Sequence, residues 1–344
     1  MVGVGTAIIM ASLLAEAKNA RLRFITRTEK PDTTNIQRIF EIYGITLSYE
    51  VEFVFAPFYD NEYEIDIFRE EIFITTSWWT TASTMASVSH KSIIYLLQED
   101  ERMFYPYGDD HLSCSKVLGN PDIRFIINTQ LLFTHFANNG LNNIVKNGVW
   151  FEPAFPKTVF FPRKQEDQCK YKLMFYARPN NLRNLFYFGI KLLEEAIIRG
   201  IIDLNNWDII MVGKDIPRIE FSNNYVPEKY ENLTWNKYSE LVGNVDLGLC
   251  LMYTPHPSYP PLDLAASGAV VVTNRFGNKQ DLSNYSKNIL CGNLDLESML
   301  VTLATGLSLA QCRQERVENF YSNNLESDWK VALSNIIVDL KKVQ

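Results

Sequence analysis

Short apolar runs alternate with amphipathic stretches along most of the chain. That alternation predicts an α/β protein with mostly parallel sheets. In the first half the strand-like runs fall at 22–26, 51–56, 71–76, 92–97, 125–128 and 149–152. In the second half they fall at 173–176, 207–212, 245–252 and 269–273. A helix over 182–199 is expected from Leu185, Phe186, Gly189, Leu192, Leu193, Ala196 and Ile197, whose spacing lays one apolar stripe against a sheet. Trp329, Leu333, Ile336, Ile337 and Leu340 draw a second stripe on a terminal helix. Between the halves, "FPKTVFFPRKQEDQCKYK" (155–172) carries two prolines and seven charged residues and reads as the linker. The expected organisation is two doubly wound domains, over 1–160 and 161–322, followed by a terminal helix over 323–344.

The start of the chain is irregular in this scheme. A doubly wound domain opens with a strand, yet "VGVGTAIIMASLLA" places Gly3 and Gly5 as a turn running into a helix, with no strand to feed it. As a dinucleotide fingerprint it lacks both the strand and the third glycine. The expectation is a domain whose first strand is missing, with upstream in-frame sequence encoding an apolar strand.

Composition narrows the function classes. The 344 residues are 47% hydrophobic and 21% charged, the balance of a folded domain pair. A net charge of −7 lacks the basic footprint of a nucleic-acid binder. Cys114, Cys169, Cys250, Cys291 and Cys312 are odd in number and show no CxxC spacing, so neither a disulfide framework nor a zinc site is indicated. His90, His111, His135 and His256 show no metal-ligand spacing either, and no metal is expected. The apolar stretch 7–15 is too short to span a bilayer and has no basic region before it. A cytoplasmic protein is expected, with peripheral contact at the inner face of the membrane left open.

Ligands of open α/β sheets bind outside the carboxyl ends of the strands. "YARPNNLRN" puts Arg178 just past one strand and Arg183 at the start of the next helix. "VGKD" puts Gly213 and Lys214 past another. "HPSYPPLDLAASGAVVVTN" puts His256, Ser258, Tyr259, Leu262 and Asp263 past a third. Arginine forks suit phosphate oxygens, and Pro260 and Pro261 suit a first helical turn whose amides favour an anion. Asp263 would repel phosphate, so beside a diphosphate it fits a ribose hydroxyl, although an acidic residue in a first helical turn is more often a simple dipole partner.

These segments resemble a known family. "YARPNNLRN" is similar to the "GR…K" segment of family-four GT-B glycosyltransferases, with Arg178 on the arginine and Arg183 on the basic partner. "PLDLAASGAVVVTN" resembles its "LEAMAxGxPVV" segment, with Asp263 on the glutamate and Gly268 on the glycine. "LLQEDERMFYPYG" (96–108) and "TTSWWTT" (75–81) resemble rhamnosyltransferases of surface-glycan (S-layer, O-antigen, rhamnan) assembly. The resemblance implies a GT-B fold of two Rossmann-like domains, the nucleotide sugar in the second, the acceptor mainly on the first, and a terminal helix crossing back to the first. It also implies transfer with retention, no cofactor and no essential metal. Arg178 and Arg183 would then neutralise the leaving diphosphate. The donor contacts would be Gly213, Lys214, His256, Ser258, Tyr259, Leu262 and Asp263. Where the family carries a second acidic residue, eight positions before Asp263, this chain has Pro255. A 6-deoxy donor such as dTDP-rhamnose fits that change, and a growing glycan or lipid-linked glycan is the expected acceptor.

On the acceptor side the candidates are Gly3, Gly5, Trp78, Trp79, Glu101 and Tyr105. Sugar rings stack on aromatic faces, though core packing is the commoner role of any one ring. Glu101 ends the run Glu99, Asp100, Glu101, which reads equally as an acceptor-orienting carboxylate and as a solvated charge run. Two other readings stay beside the transferase: a GT-B-fold sugar-nucleotide epimerase and a non-catalytic glycan-binding relic.

Overall fold

A computed structural model describes residues 2–60, 64–163 and 170–341. The chain divides into two units, one of residues 1–153 with 328–344 and one of residues 154–327.

The first unit opens with helix α1 (Val2–Lys18), then β1 (Arg23–Thr26), α2 (Thr33–Tyr43) and β2 (Glu52–Phe55). Next come β3 (Phe73–Thr75), α3 (Trp78–Met85), β4 (Ile93–Leu97), α4 (Asp109–Leu118) and β5 (Arg124–Asn128). The helices α5 (Gln130–Asn138) and α6 (Asn142–Asn147) precede β6 (Gly148–Phe151). Its strands form two separate parallel groups, a β1–β2 pair and a four-stranded sheet in the order β3-β4-β5-β6. The two central strands of the larger sheet, "IIYLL" and "RFIIN", are almost wholly buried. Strands covered on both faces are apolar throughout rather than alternating, as these are.

The second unit contains β7 (Tyr171–Ala177), α7 (Phe186–Ile198), β8 (Trp207–Gly213), β9 (Glu228–Glu231), α8 (Trp235–Val242) and β10 (Leu247–Leu249). After these come α9 (Tyr259–Ala266), β11 (Val270–Asn274), β12 (Ile289–Gly292), α10 (Leu296–Gln311) and α11 (Arg313–Tyr321). One six-stranded parallel sheet runs β12-β11-β10-β7-β8-β9. Strand order reverses between β7 and β10, which makes that pair the topological switch point. Leu173, Phe175, Met211, Leu247, Val272 and Leu303 lie in its buried core. Gly268, at φ +81°, makes the left-handed turn from α9 into β11 that favours glycine. The chain ends in α12 (Trp329–Ala332) and α13 (Ser334–Leu340), both part of the first unit. Their stripe is buried as expected at Trp329, Leu333, Ile336 and Leu340. The doubly wound α/β expectation therefore holds, with the terminal helices returning to the first unit.

Four local expectations are corrected. Gly3 and Gly5 are not a turn: they lie inside α1, and a Cβ at Gly5 would meet nothing within 4 Å. The continuous apolar run after them is buried at Ile8, Ile9, Met10, Leu13 and Leu14, and its packing outweighs about 1 kcal/mol of helix propensity lost per glycine. Two strands were missed: β9 because its "EKYE" is a polar edge segment, β12 because "ILCG" is short and bounded by Asn288 and Asn293. The start of the expected linker is not exposed, since Phe155 and Phe160 are buried and Phe155 N–H donates to Glu326 O at 2.6 Å within the second unit. Residues 164–169, including Cys169, lie outside the described residues. No helix among those described is long and apolar enough to cross a membrane.

Candidate functional site

In the second unit the segments leaving β7, β8 and β10 meet at the switch point. Leaving β7, the chain turns through Arg178 into a short 3-10 turn over Leu182–Asn184. That turn is stapled to the loop after β10: Tyr253 N–H donates to Arg183 O at 2.8 Å, and the buried Asn184 side chain donates to Leu251 O at 3.3 Å. Gly213 ends β8 beside the end of β7, where a Cβ would lie 1.7 Å from Ala177 O. Its lack of a side chain is therefore required by strand packing, and Lys214 beyond it is exposed. Arg178 is half-buried, forms no ion pair among the described residues, and hydrogen-bonds Tyr176. A guanidinium held at a strand end by a phenol keeps donors available for an anion.

The loop 252–258 is tightly fixed. Asn274 Oδ1 accepts from Met252 N–H at 2.7 Å, while Asn274 Nδ2 and the fully buried Lys279 Nζ both donate to Met252 O at 3.0 Å. His256 is buried, and its Nδ1 accepts from Ser258 N–H at 2.9 Å, so Nε2 carries the ring proton. Burial, with Lys279 and Arg183 nearby, pushes the His256 pKa down to about 3, so the ring is neutral at physiological pH. Ser258 adopts φ +70° as it leads into α9, whose first turn holds Pro260 and Pro261 as expected. Leu262 is wholly buried, and Tyr259 packs beside the rings of Phe155 and His256, so neither side chain faces solvent.

Asp263 points inward. It is 1% exposed; Oδ2 accepts from Tyr238 OH at 3.1 Å, while the buried Oδ1 has no hydrogen-bond partner among the described residues. Burial pushes its pKa up to about 8 against the opposing hydrogen bond from Tyr238. Tyr238 is itself raised by burial and by Asp263. Burial and the same carboxyl also drive the Cys250 thiol far up. The dipole-partner reading of Asp263 thus gives way to a buried Asp263–Tyr238 pair with Tyr176 and Cys250 close by. Tyr238 and Lys279 carry no signal in the sequence, because one sits in a polar amphipathic helix and the other in an unremarkable "GNKQD" turn.

In the first unit, Glu101 is no solvated charge. Its Oε1 accepts from the buried Tyr95 hydroxyl at 2.7 Å and its Oε2 from Trp78 N–H, the first amide of α3, at 3.0 Å. A carboxylate at a helix N-terminus satisfies an orphan amide and the helix dipole together. Trp78 Nε1 donates to Tyr105 OH at 3.0 Å with the two rings edge to face, and Trp79 meets Phe58. Trp78, Glu101 and Tyr105 are thus brought together, whereas Gly3 and Gly5 are in α1. Neighbouring Asp100 is buried, and hydrogen bonds from Arg102 and His135 overcome its burial to hold the pKa at about 2. Among the described residues, no three His, Cys, Asp or Glu side chains are grouped so as to hold a metal ion.

Residues 1–124 match the N-terminal domain of WsaF, and residues 171–304 match its C-terminal domain. The O-antigen biosynthesis protein RfbC of Myxococcus xanthus is 27% identical over 257 residues, 72% of this chain. This chain spans 19% of that relative's length. Among solved structures, Anabaena HepE in complex with UDP and glucose superposes with a TM-score of 0.62 at 13% identity, covering 97% of this chain and 96% of that one. WaaG, a glycosyltransferase involved in lipopolysaccharide biosynthesis, gives 0.58 at 12% identity, covering 94% and 100%. The chain is built from the N- and C-terminal domains of the WsaF family on the GT-B glycosyltransferase fold.

Proposed function

We propose that this chain transfers a sugar, with retention of configuration, from a nucleotide diphosphate to a growing surface polysaccharide. The observation that carries the reading is Arg178: a guanidinium with no carboxylate partner among the described residues, at the end of β7, the strand beside the switch point. Arg178 and Arg183 neutralise the diphosphate as the glycosidic bond breaks, an electrostatic role that needs no bound cofactor or metal. The RfbC and WaaG likenesses support a glycan product, and the HepE complex with UDP and glucose supports a nucleotide-sugar donor.

Asp263 receives the ribose in this reading. Its Oδ1 has no hydrogen bond among the described residues, and a ribose hydroxyl supplies the missing donor once donor binding opens the Tyr238 packing that keeps Asp263 buried. Lys214 lies on the solvent side of the same strand ends and meets outer phosphate oxygens, while Ser258 and neutral His256 shape the loop against the donor. Pro255 offers no carboxylate to a donor hydroxyl, which favours a 6-deoxy sugar such as rhamnose, carried as dTDP-rhamnose. Trp78, Trp79, Tyr105 and Glu101 belong to the acceptor side, where Glu101 acts by positioning Trp78. A lipid-linked glycan would bring the acceptor to the cytoplasmic face of the membrane. Incubation with radiolabelled nucleotide sugars and a short rhamnan acceptor tests this. Label is expected in the acceptor; epimerised donor, or unchanged donor with every sugar supplied, overturns the reading.

A further inference from the structure

The turn that follows β11 reaches back to the loop that follows β10. It runs from Phe276 to Lys279 and is closed from both sides: Phe276 N–H donates to Lys279 O at 2.9 Å, and Lys279 N–H donates to Phe276 O at 2.8 Å. Gly277, at φ +51°, takes the left-handed position inside it. The backbone of Lys279 is therefore fixed, and its side chain is fully buried with Nζ 3.0 Å from Met252 O. An ammonium group is costly to desolvate, so packing alone does not account for a lysine in this place.

What Lys279 grips is one side of a single peptide group. Met252 O and Tyr253 N–H belong to the same planar unit, and in a trans peptide they point in opposite directions. On one side the carbonyl accepts from Lys279 Nζ and from Asn274 Nδ2, each at 3.0 Å. On the other side the N–H donates to Arg183 O at 2.8 Å. The Tyr253 ring is held from the same turn, since it meets Phe276 edge to face at 4.6 Å. Amide resonance links the two polar atoms, so a cation at the oxygen makes the N–H a stronger donor. Lys279 is thus coupled to the backbone of Arg183 through two hydrogen bonds and one amide. The His256 ring reports the same convergence: after burial itself, Lys279 and then Arg183 lower its pKa.

We propose that Lys279 is a positioning residue for sugar transfer, setting through the Met252–Tyr253 peptide where Arg183 stands against the leaving diphosphate. The inference rests on the assignment of Arg183 to that diphosphate. Arg183 sits in a 3-10 turn of three residues, which has little structure of its own to hold it. A shift of about 1 Å in a charge-stabilising group can cost up to about 100-fold in rate.

The test is a double-mutant cycle on turnover with dTDP-rhamnose and a short rhamnan acceptor. Lys279→Met fills the same space and removes the buried charge. Lys279→Gln, which keeps a neutral donor, is carried beside it and completes the cycle if the methionine variant does not fold. Lys279→Met is expected to lower kcat by about 10- to 100-fold while the donor KM changes less than about threefold, and Lys279→Gln to lose less. In an Arg183→Ala background the same substitution is expected to lower kcat by less than about threefold, because the group it positions is gone. Equal losses in both backgrounds overturn the proposal, as does a loss of thermal stability at unchanged kcat. No transfer by wild type, or an Arg183→Ala variant at the wild-type rate, instead overturns the reading on which the inference rests.

Discussion

Arg178, just past β7, and Asp263, within α9 after β10, have opposite roles in the proposed function. In that reading Arg178 offers donors to an anion and Asp263 offers one acceptor to a hydroxyl. If Arg178 stabilises charge that grows on the leaving diphosphate, Arg178→Ala lowers turnover by about two to three orders of magnitude, with a smaller loss of donor affinity. Steady-state kinetics under saturating donor checks this, and a wild-type rate would place the diphosphate elsewhere. Asp263→Asn keeps the shape and the Tyr238 contact but weakens the acceptor. Nucleotide binding should weaken by roughly 1–3 kcal/mol while pyrophosphate binding stays level. Isothermal titration with both ligands separates the outcomes, and equal losses would mean that the residue only shapes the loop. The residue type and position of both were legible in sequence. The burial of Asp263 was not, because Tyr238 reaches it from a different helix.

At the level of elements, glycines record where strands and helices approach closest. A Cβ at Gly213 would strike a backbone oxygen, Ala177 O, at 1.7 Å, whereas one at Gly248 would meet the end of the Leu264 side chain at 2.4 Å. A backbone atom cannot step aside and a leucine methyl can. Gly213→Ala is therefore expected to cost more than about 3 kcal/mol, and Gly248→Ala roughly 1–3 kcal/mol. Urea unfolding of the two variants checks the order, and a mild Gly213→Ala would show that β7 and β8 can part at their ends. The strands with continuous apolar runs were found from the pattern alone. The polar edge strand β9 was not, since its register depends on pairing with β8 rather than on its own side chains.

For the whole molecule, two buried carboxyls respond to pH with opposite sign, one in each unit. Asp100 is held at about 2, below its unfolded value of about 3.9, so its stabilisation is present above pH 4 and is lost as pH falls through about 2. Asp263 is raised to about 8, so stability is greatest below pH 4, where it is neutral in both states, and is lost as pH rises through about 8. Between pH 5 and pH 8 the second unit should lose on the order of 3 kcal/mol through Asp263, while Asp100 leaves the first unit unchanged. Scanning calorimetry should show the transition of the second unit move with pH in wild type and stand still in Asp263→Asn. A wild-type profile that is flat from pH 5 to pH 8 would mean that Asp263 is ionised throughout.

The sequence by itself determined the α/β class, the two-part organisation, the apolar stripe of the terminal helix and the positions of Arg178, Arg183 and Asp263. Each of these is a matter of local periodicity or of the residue types just past a strand end, and short-range physics suffices. Only the tertiary structure decided that Glu101 caps α3 instead of facing solvent, that Lys279 and Asn274 hold the Met252 carbonyl, and that Asp263 lies dry against Tyr238. Burial and partner choice depend on residues far apart in the chain. A carboxylate in a run of charges looks alike in sequence whether water or a helix N-terminus receives it.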